Sequence, residues 1–513
     1  MLYVFVYWIF ATLSFLGSGS LISLLKPNKV ALLHSMGYGV FVQTLLFSIL
    51  CFFIPLNHFA IQLFLGLSVL WGTYIGINFL IKNKNFIFKQ HYLLFLFVII
   101  GVAFQSSHIP SFPDHDSYYI PTVRWLQEFG YVKGLANWHY FLGQCSAWHV
   151  LFAAHDSLLP FQTFGLNSWL LLWGAFYLGN QDTNEPKKSI FLGIYVVLAW
   201  VFIDGISPDM TVYVVIYIVF YEIQRKKNIS FFGGLLLIWV VFVKVIYAPV
   251  LLLLLLYKND KKKLWVILFL VCLIVSAKNY ILTGHLGYPI PLSLGYTPDW
   301  AMPAELFSLL KNQSNGLLFY LMNSGQLKLH FLEATAWLFV IGSLTFFGFR
   351  TREINLKYLI FVLLIHTLTM GLFSIQFRFI YFIVPIMLVL WINYLHFKIN
   401  IAPSIKISII SLILLFMSTY QVIPQIKPRK IIVNQWLIAQ KREYHYKKVA
   451  HNNLVFYIPE SPRFFYEIGD LPLPSNSGYW LQHLEKKFNL HPVLRDNEIK
   501  NGFRMEKKVM VDF

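Results

Sequence analysis

The stretch SFPDHDSYY, Ser111 to Tyr119, places Asp114 and Asp116 on either side of His115, after a proline and before two tyrosines. In non-helical backbone two carboxylates at i and i+2 can reach one cation or one hydroxyl. Such a pair either takes a proton from an attacking hydroxyl or holds a divalent metal, Mg2+ or Mn2+, against a phosphate. The plainer role for Asp116 is to cap the helix that follows. Asp209, in SPDMTVYVV, opens an apolar run and invites the same two readings, cap or site. Three cations have spacing of interest. Lys244 interrupts the apolar run FVKVIYAP, Lys278 ends VILFLVCLIVSAKNY, and Arg378 sits in SIQFRFIYF. A lysine there can snorkel to headgroups, whereas an arginine suits bidentate binding of phosphate or carboxylate.

What those residues can do depends on the elements that carry them. The chain has 513 residues, of which 57% are hydrophobic and only 12% charged, with a mean hydropathy of +0.61. Apolar runs of roughly 17–25 residues recur along it, the length an α-helix needs to cross about 30 Å of hydrocarbon. A soluble protein of this size would need a far more charged surface. The composition therefore predicts an all-α polytopic membrane protein. The net charge of +18, 41 basic minus 23 acidic residues, would suggest nucleic acid in a soluble chain. Here the basic residues fall in short loops such as KPNK (26–29), KNKNFIFK (82–89), QRKK (224–227), KNDKKK (258–263) and RTRE (350–353). The preference of cytoplasmic loops for Lys and Arg explains them better. Cys51, Cys145 and Cys272 are widely spaced and read as packing residues. The apolar N-terminus, MLYVFVYWIFATLSF, reads as a retained first helix.

Placing every basic loop in the cytoplasm requires an even number of crossings between each pair. This works throughout except across residues 229–257, where a single helix would send KNDKKK outside. A pair of short helices turning around Lys244 and Pro249 restores the parity. The count becomes about 13–14 transmembrane helices with both termini outside. The outer segments of any size are then residues 108–160, residues 284–330, and a tail from about 424. The first holds the acidic pair followed by aromatic-rich stretches. Trp125, Phe129, Trp138, Tyr140, Phe141 and Trp148 suit helices lying in the membrane interface. The second is rich in Gly, Pro and aromatics, and Tyr288, Asp299 and Trp300 there suit contact with a sugar ring or, equally, a structural turn. The tail reads as a small α/β outer domain.

An acidic pair in an outer loop, two aromatic helices behind it, a later SPD helix and then VKVIYAPVLLLLLL resemble the C-type glycosyltransferases. The chain resembles in particular an uncharacterised bacterial membrane-protein family near these enzymes. The residues that carry this are DHDSYYIPTVRWLQEFGYVKGLANWHYFLGQCSAWHVLFA, NYILTGHLGYPIPLSLGYTPDW, FRF and DLPLPSNSGYW. The acidic loop comes after about four crossings rather than one, which makes residues 1–90 extra to a core of 91–423, with 424–513 as a periplasmic domain.

The resemblance implies an enzyme of the bacterial inner membrane with its site on the periplasmic side. It would transfer a sugar from a polyprenyl-phosphate donor to a glycan or lipid acceptor. Asp114 or Asp116 would be general base or metal ligand. Lys244, Lys278 and Arg378 would face the donor phosphate. His115, Asp209, Tyr288, Asp299 and Trp300 would contact substrate. Its partners would be membrane lipids and lipid-linked sugar, with no nucleic acid. Two other classes stay open: a transporter or flippase of lipid-linked glycan, which needs polar residues at mid-membrane depth, and a surface-polysaccharide polymerase or ligase, which would rely on outer arginines.

Overall fold

The computed structural model describes residues 1–24, 32–82, 92–107, 110, 113–159, 165–180, 188–203, 205–259, 261–292, 295–313, 316–317, 331–374, 376–395, 443–451 and 453–507. The apolar run expected at 405–423 lies outside them.

Three long apolar helices open the chain: α1 (Leu2–Leu24), α2 (Leu32–Leu50) and α3 (Phe59–Lys82). Glycines set how closely they pack. A Cβ on Gly19 would stand 1.7 Å from the Ser35 carbonyl oxygen, and one on Gly17 would stand 1.9 Å from that of Ser68. Small residues that let backbones touch are the usual means of association where hydrocarbon surrounds every helix. After α4 (Tyr92–Ser106) the chain enters the acidic loop. This holds a π-helical turn (His115–Tyr119), α5 (Ile120–Glu128), α6 (Leu135–Trp138) and α7 (Ala147–Leu158). Then come α8 (Gly165–Gly179), α9 (Lys188–Ala199), α10 (Asp209–Lys226), α11 (Phe231–Val243) and α12 (Lys261–Thr283). They are followed by α13 (Ala304–Gln313), α14 (Phe331–Arg350), α15 (Ile354–Phe373) and α16 (Val384–Tyr394).

Among the described residues five helices are long and apolar enough to cross a membrane: Leu2–Ile22, Leu32–Leu50, Phe59–Ile81, Lys261–Thr283 and Ile354–Phe373. Phe231–Val243, Val245–Leu256 and Tyr381–Tyr394 are shorter apolar helices beside them. The protein is a helical membrane protein. The run 229–257 is broken, as parity required: α11 ends at Val243, Lys244 is extended (φ −153°, ψ 102°), and a 3-10 helix follows (Val245–Leu256). The chain folds back on itself there, since a Cβ on Gly234 would meet the Leu254 side chain at 3.4 Å. The bend lies at Lys244 alone. Pro249 falls inside the second helix instead of the turn, because the Lys244 ammonium is drawn aside to Asp209.

The tail is built from two antiparallel hairpins and a helix. β1 (Tyr446–His451) pairs with β2 (Leu454–Pro459), and α17 (Gly478–Phe488) leads into β3 (Leu490–Leu494), which pairs with β4 (Phe503–Lys507). This small unit docks on the acidic loop and accounts for part of one departure from the sequence reading. Trp125, Trp138, Tyr140 and Trp148 are fully buried in protein instead of lying at a headgroup layer, the first three against the tail and Trp148 against Asn167 and Trp239 of α8 and α11. Trp138 stacks on Phe503 at 5.3 Å, and its Nε1 donates to the Ser475 carbonyl at 2.7 Å. The Asn476 amide donates to the Trp138 carbonyl at 2.6 Å. A buried indole N–H is stabilised by an acceptor, and for Trp138 the tail supplies it.

Candidate functional site

The acidic pair begins a helix that cannot start regularly. The π-helical turn is wider than an α turn, and Ser117 Oγ ties it back to the Pro113 carbonyl at 2.8 Å. Such wide turns re-aim side chains and are frequent at functional positions. Here the two carboxylates diverge. Asp114 pairs with Arg378, which the short 3-10 helix Phe377–Phe379 presents from the far end of the sequence. Asp116 turns the other way, to the tail: Tyr444 Oη donates to it at 2.7 Å and Arg463 Nη2 at 2.6 Å. Its own carbonyl accepts from the Ile468 and Gly469 amides at 3.0 and 2.7 Å. Asp116 is therefore not a helix cap. It is a clasp between loop and tail, with Glu467 completing the arrangement on Arg463 at 2.7 Å.

A second ion pair stands near the first. Asp209 is the first residue of α10, with no capping role for its side chain, which accepts from Lys244 Nζ at 2.5 Å and from Tyr247 Oη at 2.9 Å. Asp209 and Lys244 both lie within Coulombic reach of Arg378, and Lys244 also feels Asp114. The Phe379 ring lies between the cations, 5.1 Å from Lys244 Nζ and 5.3 Å from the Arg378 guanidinium. Stacked on Tyr247 at 5.2 Å is His366, whose Nε2 reaches the Phe379 carbonyl at 3.1 Å, so the FRF turn is held from behind. Tyr119 and His149 close another side, their rings 4.8 Å apart. Lys278 approaches at the His149 end, with its ammonium on the Cys145 carbonyl. His115 faces the turn before α10, where a Cβ on Gly205 would stand 3.9 Å from its Nδ1.

Asp114 and Asp209 face Arg378 and Lys244, two charges of each sign within Coulombic reach of one another, while Lys278 acts on His149 and Cys145. Arg378 Nε is buried and has no hydrogen-bond partner among the described residues. An anion that displaced Asp114 from Arg378 would meet that N–H and the charge of Lys244. The fit to a metal is poor. No group of three or more His, Cys, Asp and Glu side chains comes together among the described residues. Asp114 and Asp116 are engaged by different arginines, and a guanidinium beside each takes the place a hard cation would need with its several oxygen ligands.

Tyr288, Asp299 and Trp300 are not brought to the chamber. Tyr288 is buried and donates to the Tyr140 carbonyl at 2.8 Å. Asp299 pairs with Arg495 at 2.8 Å, whose hydrogen bond holds its carboxyl below the usual range. Trp300 packs beneath the same Arg495 at 5.0 Å. Asp299 and Trp300 tie their segment to the tail, and Tyr288 ties it to the acidic loop. The sequence reading missed Tyr444, Arg463 and Glu467, which lie more than 300 positions from Asp116; the one available signal was SPRFFYEIGD, where Arg463 precedes three aromatics and Glu467, and Tyr444 lies outside it.

Fold and site together define a helical membrane protein with paired charges gathered at one polar chamber. The chain belongs to the family described as "Domain of unknown function (DUF8201)", whose model matches residues 1–392. No curated protein and no solved structure matches it. The matched range carries Asp114, Asp209, Lys244, Lys278 and Arg378, whereas Tyr444 and Arg463 lie beyond it.

Proposed function

We propose that the protein is a membrane glycosyltransferase. It moves a sugar from a polyprenyl-phosphate donor to a cell-envelope glycan or lipid acceptor at the periplasmic face of a bacterial inner membrane, with about 13–14 crossings and both termini outside. One observation carries the reading: an arginine with a spare N–H, within Coulombic reach of a lysine, whose carboxylate partner is more than a quarter exposed. A phosphate diester entering the chamber replaces Asp114 on Arg378, and Lys244 adds a second positive charge. Asp114 is then free to accept the proton of the acceptor hydroxyl. The acceptor oxygen bonds to the anomeric carbon as the carbon–oxygen bond to phosphate breaks, and the electron pair leaves with the polyprenyl phosphate. In-line attack inverts the anomeric carbon. Of the two carboxylates Asp114 is the one suited to this: its side chain is 27% exposed, against 6% for Asp116, which the tail holds fast. No step is routed through a metal.

The test is binding of undecaprenyl phosphate, with the phosphate-free alcohol as control, to the full-length protein by native mass spectrometry. The native chain should retain the phosphate over the alcohol, and Arg378→Ala should lose that preference by about tenfold or more. Equal retention of both lipids by the native chain would remove the basis for the reading.

A further inference from the structure

Outside the chamber, the tail exposes a pair of aromatic rings that no contact explains. Phe465 is 39% and Tyr479 51% exposed. Their rings stack nearly parallel, 17° apart with centroids at 6.1 Å, and together make an aromatic platform. His483, one helical turn after Tyr479, meets Phe465 edge-on at 5.7 Å. The platform is held rigidly. Ser477 Oγ donates to the Phe465 carbonyl, and Tyr466 next to it points inward against Phe141 and Trp480. Tyr479 rides on α17, whose Trp480 and Leu484 are fully buried. Both rings are thus fixed outward by neighbours fixed inward. Ring faces presented in advance lose little entropy on binding.

The surroundings select the occupant. His483 lies against Phe465, and the face of α17 that carries Tyr479 also carries the exposed Gln482 and Lys486 at helical spacing, i+3 and i+7. An aliphatic chain would want apolar neighbours, whereas this set suits a ligand with one C–H face and a rim of hydroxyls, a pyranose ring. Arg463, two residues before Phe465, clasps Asp116, so the platform adjoins the acidic loop in both chain and space.

We propose that Phe465 and Tyr479 bind a hexopyranose ring of the acceptor glycan, holding the acceptor beside the chamber. This rests on the transferase reading for the word acceptor, but saccharide binding itself does not require turnover. The test is saturation-transfer NMR on the full-length protein in lipid nanodiscs, with gluco-, manno-, galacto- and N-acetylglucosamine tetrasaccharides as probes. At least one should bind, with saturation strongest on ring C–H protons. Phe465→Ala and Tyr479→Ala should weaken it about tenfold, and Phe465→Tyr should retain it. Tyr479→Leu provides a second variant that keeps the apolar contact with the helix.

Failure to bind any probe, or binding unchanged in both alanine variants, overturns the proposal. So does an effect of the alanine variants confined to oligomeric state, which makes a second copy the occupant, or to co-purified lipid, which makes it a headgroup. If saccharides bind but undecaprenyl phosphate is not preferred, the transferase reading fails and the platform stands as a glycan-binding surface. If the lipid preference holds and saccharides do not bind, only the platform proposal fails.

Discussion

Asp114 and Asp116 are two residues apart and could be taken for one site, yet they serve different neighbourhoods. Asp114 faces a chamber of membrane-helix ends, with one arginine partner and more than a quarter of its side chain accessible. Asp116 is buried in the seam between loop and tail, with a tyrosine, an arginine and two backbone amides fixed on it. An exchangeable partner suits chemistry and a saturated one suits architecture. The widened turn at His115–Tyr119 is what separates them, by rotating two neighbouring carboxylates to opposite sides.

The most severe test of this contrast is removal of charge at Asp114. Asp114→Asn should lower transfer by about 10²–10⁴-fold, the range for loss of a general base, while the thermal midpoint stays near native. Conversely, Arg463→Ala should act on stability first. It strands a buried carboxylate beside a half-exposed partner, and a cost of about 1–2 kcal/mol is expected, read from denaturant or thermal unfolding of the tail. A smaller effect follows from His139, which sits in the loop–tail seam among Tyr140, Tyr466 and Trp480 with neither ring nitrogen hydrogen-bonded among the described residues. Burial lowers its pKa from 6.5 to about 3. Between those values the unfolded chain takes up a proton that the folded chain refuses, so stability is full above about pH 6.5 and falls as pH drops toward 3. His139→Phe should flatten that slope in unfolding midpoints measured across the window. The smallest change is expected at Asp299, whose exposed pair with Arg495 contributes about 0–1 kcal/mol. Asp299→Asn should leave glycan transfer within about twofold of native, and a larger loss would move that residue into the site.

Much of this was legible before any coordinates. Apolar runs give helices because hydrocarbon leaves backbone groups no other partner. The basic loops called for a break within 229–257, expected around Lys244 and Pro249, and it falls at Lys244 with Pro249 inside the next helix. Asp114, Asp209, Lys244 and Arg378 stood out as charges where charge is costly, and they do gather. Their pairing was not legible, because periodicity and composition carry no information on contacts 35 or 264 residues apart. Tyr288, Asp299 and Trp300 shared the same residue types but serve the seam. A ring that stacks on a guanidinium and one that stacks on a sugar look alike in sequence. The burial of Trp125, Trp138 and Trp148 escapes the sequence for a related reason: amphipathic spacing identifies a covered face without saying whether lipid, a distant hairpin (Trp125, Trp138) or neighbouring helices (Trp148) cover it.

The most direct test of the account is mass spectrometry of surface and lipid-linked glycans from otherwise identical cells carrying the native chain, Asp114→Asn, Asp116→Asn or no copy, with membrane levels of the proteins matched. The account predicts that Asp114→Asn reproduces the deletion, with one sugar missing and its polyprenyl-linked donor accumulating, while Asp116→Asn at equal level retains most of the product. Native glycans from Asp114→Asn, alongside altered glycans in the deletion, would contradict a base at Asp114 and favour movement of a lipid-linked glycan over its transfer.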